Sequence, residues 1–268
     1  MSGGREWPLV TADVLPAGGL IKATPEDFIV EEVPAYEPSG EGDHLYLWVE
    51  KRGRDTAEVA RLLARAGGVP EREVGYAGMK DRQGITRQWF SLPAIAEPKL
   101  ADFAAENVQV LERKRHRNKL RTGHLRGNRF RIRVRDVKDA GAALAAFERL
   151  QSSGVPNYFG EQRFGREDDN AALGRKLLRG ERLERAPTPF QRRLYLSAWQ
   201  SLLFNRALAQ RIEEGTLGRA LPGDVLRKAD TGGLFVCEDP VVDQPRVDRF
   251  EVSPAGPLLG PKMPKAAG

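Results

Sequence analysis

Gly78-Met79-Lys80-Asp81-Arg82-Gln83-Gly84-Ile85-Thr86-Arg87-Gln88 places one acid between two cations in a glycine-bounded turn. The turn enters a predicted strand over Ile85–Leu92, and Val74–Ala77 reads as a strand on its other side. Adjacent positive charge favours the ionised form of a carboxylate. Asp81 can therefore serve as nucleophile, base or anchor, while turn chemistry by itself is equally satisfied by a solvated loop.

Outward from this turn the chain alternates strands and helices. His44–Glu50 sets Leu45, Leu47 and Val49 against Tyr46, Trp48 and Glu50, the period of a strand. Asp55-Thr56-Ala57-Glu58 has the spacing of a capping box. Val59, Leu62, Leu63 and Ala66 follow at helical spacing, and Gly67-Gly68 stops the helix. Ala140–Leu150 reads as a second helix with Leu144, Phe147 and Leu150 on its buried side. Arg192–Glu214 reads as one long helix, with Trp199 and Phe204 as core residues. Beyond Asp239 the chain is rich in proline and glycine, ending in Ser253-Pro254-Ala255-Gly256-Pro257. The predicted class is α+β: a mixed, largely antiparallel sheet with helices packed on it.

The 268 residues suffice for a full core and two domains. Ser152-Ser153-Gly154-Val155-Pro156 marks the boundary, dividing residues 1–154 from a helix-rich 155–268. No apolar run approaches the roughly 20 residues of a membrane helix, and Met1–Pro8 has no apolar signal core, so the expected location is the cytoplasm. A single cysteine, Cys237, excludes an internal disulfide and a cysteine-based zinc site. His44, His116 and His124 are scattered in sequence without metal-ligand spacing. Gly75-Tyr76-Ala77-Gly78 lacks the spacing of a phosphate loop.

Lys plus Arg total 43 against 37 for Asp plus Glu, giving +6 and a pI near 9.5. The excess is concentrated: between Arg113 and Arg135, 11 of 23 residues are basic and none is acidic. The end of this run alternates Phe130, Ile132 and Val134 with Arg129, Arg131, Arg133 and Arg135, the pattern of a half-buried strand with four arginines on one face. A polyanion relieves such crowding by releasing its counterions, which makes nucleic acid the expected partner.

Four segments, in order, resemble the TruD family of tRNA pseudouridine synthases: Lys22-Ala23-Thr24-Pro25-Glu26-Asp27-Phe28, Gly78–Gln88, Leu125-Arg126-Gly127-Asn128-Arg129-Phe130, and Val155–Gly165. Weaker likeness continues through Gly256–Met263. The resemblance implies the pseudouridine synthase catalytic fold in 1–154, with an inserted TRUD domain from 155. It also implies isomerisation of uridine 13 in the D-arm of tRNA without a cofactor. By position, Asp81 corresponds to the family's catalytic aspartate, Lys22 to its active-site basic residue, and Phe28, Asn128 and Phe130 to substrate contacts. Taken without the family, Lys22 reads as a surface lysine, Phe28 and Phe130 as core, and Asn128 as a turn residue. Family members continue past the Gly256–Met263 segment with further sheet strands, so the resemblance leads one to expect weak activity and marginal stability of the 268 residues alone. The competing expectation is a tRNA-binding protein or RNA chaperone on the same scaffold, without catalysis.

Overall fold

The computed structural model describes residues 6–165, 167, 169–260 and 263. The residues up to Arg5, and Pro261 and Lys262 of the Gly256–Met263 segment, lie outside these. Two compact units result: Ala17–Asp139, and residues 6–16 with those from Ala140 onward. The second unit takes in the helix that the boundary expected at 154/155 assigns to the first domain. No helix among the described residues is long and apolar enough to cross a membrane.

The first unit runs β1 (Phe28–Pro34), β2 (His44–Arg52), α1 (Thr56–Gly67), β3 (Gly75–Tyr76), β4 (Ile85–Pro93), α2 (Glu97–Leu100), β5 (Val108–His116) and β6 (Leu125–Ile132). The strand order is β5-β2-β4-β1-β6, with β3 paired to β4. Only β1 and β4 run parallel; every other pair is antiparallel. This is the mixed, largely antiparallel α+β sheet the sequence predicts.

Alternation decides its faces. Leu45, Leu47 and Val49 of β2 pair with Leu92, Phe90 and Gln88 of β4, and the apolar members pack against Val59, Ala60, Leu63 and Ala64 of α1. Each fully buried Leu or Phe here contributes roughly 1.5–3 kcal/mol. Gly68, at φ +67°, ends α1 in the left-handed region. Its N-terminus departs from the predicted capping box: Asp55 is the N-cap but makes no side-chain cap bond. The Glu58 carboxylate pairs with Arg54 instead. On the opposite face Tyr46, Trp89, Ala77 and Leu120 form a second cluster.

The alternation expected at β6 is present, but the burial is not. Phe130 and Ile132, and Val134 just beyond, remain 55%, 48% and 42% exposed, because β6 is an edge strand paired with β1 alone.

The second unit begins with α3 (Ala140–Ser153), followed by α4 (Asn170–Leu178) and α5 (Pro189–Glu213). Helix α3 forms as predicted, yet Leu144 and Phe147 are exposed rather than buried. Helices α4 and α5 pack closely because residue 174 is glycine: a Cβ there would stand 2.1 Å from the Tyr195 carbonyl oxygen. Phe164, Ala171, Ala198 and Leu202 form their core, with Trp199 packed against it. Phe204 meets Phe159 edge-on at 5.3 Å. Strands β7 (Val225–Lys228) and β8 (Leu234–Val236), helix α6 (Pro240–Asp248) and β9 (Val252–Pro254) complete the unit. Helix α6 lies within the proline- and glycine-rich stretch after Asp239. Asp239 caps it through the Val241 amide, and Pro240 occupies the first turn, where a missing N–H costs nothing.

Candidate active site

Parallel strands bring the segments that precede them to the same end of a sheet. Ile29 of β1 lies beside Ile85 of β4, so the Lys22–Asp27 turn and the Gly78–Gly84 loop emerge side by side. Residue 84 must be glycine, because its φ of +148° disfavours a side chain and a Cβ would stand 2.4 Å from the Phe28 carbonyl oxygen.

The first segment is anchored on two sides. Pro25–Asp27 is a single helical turn in which the Thr24 amide donates to Asp27 Oδ2 at 3.0 Å. Arg135 Nε also donates to Asp27 Oδ2, at 2.7 Å. That bond, more than any other influence, holds the Asp27 carboxyl below its usual range. Backbone bonds between Leu20 and Arg135, and from Arg133 to Asp27, join the segment to the chain beyond β6. Lys22 is thereby held at φ +58°, a costly conformation for a residue with a side chain.

Four of the five predicted site residues form a contiguous group. Lys22 Nζ donates to Asp81 Oδ2 at 2.8 Å and stands 4.0 Å from the centre of the Phe28 ring. The Phe28 and Phe130 rings are 6.0 Å apart, centre to centre. The Asp81 side chain is 56% exposed and that of Lys22 27%, so the pair faces solvent. Asn128 is the fifth. It lies two positions before Phe130, on the same face of β6, in register with Glu32 of β1. Its side chain has no hydrogen-bond partner among the described residues, which leaves a donor and an acceptor free.

The cations flanking Asp81 are not its partners, contrary to the sequence expectation. Lys80 turns inward to Glu32 at 2.8 Å, with both side chains at most 3% exposed, and Arg82 donates to the Gly53 carbonyl at 3.2 Å. Lys22 takes their place beside the carboxylate.

Beneath the loop lies a polar layer that sequence reasoning missed. The Lys80 amide donates to Thr56 Oγ1, which donates to Gln88 Oε1; Gln88 Nε2 then donates to the Gly78 carbonyl. Lys51 Nζ donates to the Asp81 carbonyl at 2.8 Å and to the Arg54 carbonyl at 2.7 Å. Burial lowers the Lys51 ammonium to about 8, against the pull of Asp55 and Asp81. A signal for Lys51 was available: it continues the alternation of Leu45, Leu47 and Val49, a charged residue where the pattern asks for an apolar one.

The arginine stripe also needs correction. Arg133 and Arg135 converge on buried Asp27 at 4.0 and 2.7 Å, and Arg129 approaches Glu31 at 3.8 Å. Arg131 alone of the four has no ion-pair partner among the described residues. The histidines, scattered in sequence, gather in space: His44 and His116 are cross-strand neighbours. His124 Nδ1 lies 2.8 Å from the Tyr36 hydroxyl, and the Tyr36 ring stacks on His116. Among the described residues no cluster of His, Cys, Asp or Glu could hold a metal ion. A cavity of about 550 Å³ lies elsewhere, lined by Ala60, Tyr76, Lys119 and Arg121 among others. None of the five predicted residues lines it. The Asp81 group is the better candidate, since a carboxylate, a cation and two aromatic rings in contact carry chemistry that the volume alone does not.

A family model described as tRNA pseudouridine synthase D (TruD) matches residues 6–188 and 183–268. The tRNA pseudouridine synthase D of Anaeromyxobacter sp. strain Fw109-5 is 56% identical over 267 residues, covering 97% of this chain and 76% of its own. The protein of the same name from Thermus thermophilus is 48% identical over 266 residues, covering 98% and 74%. The crystal structure of a protein described as a putative tRNA pseudouridine synthase D from Methanosarcina mazei superposes with a TM-score of 0.78. It is 23% identical and covers 95% of this chain and 76% of its own, a likeness of fold.

Proposed function

Because the chain belongs to the TruD family of tRNA pseudouridine synthases, we propose that it isomerises uridine 13 in the D-arm of tRNA to pseudouridine, with Asp81 as the catalytic carboxylate. The observation that carries this reading is the contact series Asp81–Lys22–Phe28–Phe130 at the shared end of β1 and β4.

The reaction breaks the bond between ribose C1′ and uracil N1, turns the base over and joins C5 to C1′. Atoms and oxidation state are conserved, so the chemistry calls for no cofactor. The target base has to leave the RNA stack, at a cost of a few kcal/mol. Stacking on an aromatic ring returns roughly 1–3 kcal/mol per base, and Phe130, 55% exposed, offers such a ring. Asn128 supplies the donor and acceptor that the polar edge of uracil requires. Lys22 Nζ, 2.8 Å from Asp81 Oδ2, places a cation beside the carboxylate that would attack the ribose or remove its proton. Arg131 on the outward face of β6 takes a backbone phosphate. The catalytic portion on this reading is 1–154, the inserted portion 155–268, and the location cytoplasmic.

The test is modification of tRNA transcripts that lack pseudouridine, read by carbodiimide labelling and reverse transcription. The expected result is a label at position 13. Binding of tRNA without any label would favour the RNA chaperone reading.

A further inference from the structure

Lys51 stands where packing has no use for it. It lies on the face of β2 that carries Leu45, Leu47 and Val49, and it is itself 1% exposed. Burying an ammonium there costs desolvation free energy that an apolar side chain of the same length would avoid. Its Nζ ends between two backbone carbonyls, those of Arg54 and Asp81.

We propose that Lys51 is a positioning residue for Asp81, pinning the Asp81 backbone so that the carboxylate stands where Lys22 and the substrate meet it. The inference rests on the catalytic reading of Asp81. Among the described residues the Asp81 carbonyl accepts a hydrogen bond from Lys51 alone. The other ties of the loop act on its neighbours: Gln88 holds Gly78, while Thr56 and Glu32 hold Lys80. Without Lys51 the residue is held only through its own exposed carboxylate. Lys51 donates to these two carbonyls, so it acts through Asp81 and does not touch substrate. Asp55, Glu58 and Asp81 draw positive charge to this spot and Lys80 repels it, a balance that keeps the ammonium in place despite its burial.

The experiment compares Lys51→Met and Asp81→Asn in the full chain, with single-turnover tRNA modification, tRNA affinity, thermal unfolding and amide hydrogen exchange. A displacement near 1 Å costs on the order of 100-fold in rate. Lys51→Met is therefore expected to lose about 10- to 100-fold in rate with affinity essentially unchanged. It is expected to melt no lower than the wild type, and to exchange faster at residues 79–84. A merely structural lysine would give the reverse, a lower melting temperature with an intact rate in the folded fraction. Lys51→Gln, which keeps a donor on a shorter stem, is expected to fall between Met and wild type and serves if the Met variant does not fold. An unimpaired rate in Lys51→Met beside an inactive Asp81→Asn overturns the positioning role. An unimpaired rate in Asp81→Asn overturns the reading on which it rests.

Discussion

The ammonium of Lys22 meets the carboxylate of Asp81 at 2.8 Å across 59 residues of sequence, and it does so from a left-handed backbone at φ +58°. That conformation costs a residue bearing a Cβ roughly 1–2 kcal/mol. The ion pair, half exposed, returns little of it. Lys22→Gly is therefore predicted to be more stable than Lys22→Ala by about 1 kcal/mol in urea unfolding, while both variants lose modification activity. Equal stability of the two would mean that the backbone at residue 22 relaxes without cost.

Gly84 joins the Asp81 loop to β4 with no room for a methyl group, the Phe28 carbonyl oxygen lying 2.4 Å from where a Cβ would stand. Gly84→Ala is predicted to lower stability by about 2 kcal/mol or more, because the strain of φ +148° adds to the clash. The loop is also displaced, so modification slows more than the loss of folded protein explains. Urea unfolding and single-turnover rates measured on the same preparation separate the two effects.

Arg131 and Arg135 look alike in sequence and divide by role in the structure. Arg131→Gln removes one free charge, so the slope of log affinity against log salt is predicted to fall by about 0.7–0.9 with no change in melting temperature. Arg135→Gln leaves Asp27 buried without its closest cation and is predicted to lower the melting temperature near neutral pH. The sign of its pH dependence follows from the lowered Asp27 value. The pair's contribution is complete above the ordinary aspartate value of 3.8 and disappears as pH falls through the lower folded value. Wild type and Arg135→Gln should thus converge in acid.

Lys51 titrates in the opposite sense. Its folded value of about 8 lies below the ordinary 10.5, so between these the unfolded chain binds more protons and stability rises with pH. Relative to Lys51→Met, which cannot titrate, the wild type is predicted to gain up to about 3 kcal/mol between those two values. Urea unfolding of both proteins across that range measures the difference. A constant gap would place the Lys51 ammonium in water.

What the sequence made legible was local or periodic. The strands around Asp81 and the start and stop of α1 followed from spacing. Partners remote in sequence were not legible. Asp27, the acid that occupies Arg133 and Arg135, lies more than a hundred residues before them. The inward turn of Lys80 depends on Glu32, which only the β1–β4 pairing brings near. Phe130 alternates like a core residue and is exposed, since nothing in its own segment says that β6 is an edge. Helix α6 lies in a stretch whose proline and glycine content carries no helical signal, although Pro240 sits where helices accept proline.

The central claim, that the Asp81 carboxylate carries the isomerisation, is tested most directly by single-turnover conversion of uridine 13 in saturating Asp81→Asn protein. The amide preserves shape but not charge. The account predicts a rate lower by at least about 100-fold with tRNA affinity essentially retained. A rate within tenfold of wild type, a difference of only about 1.4 kcal/mol in the barrier, would contradict it.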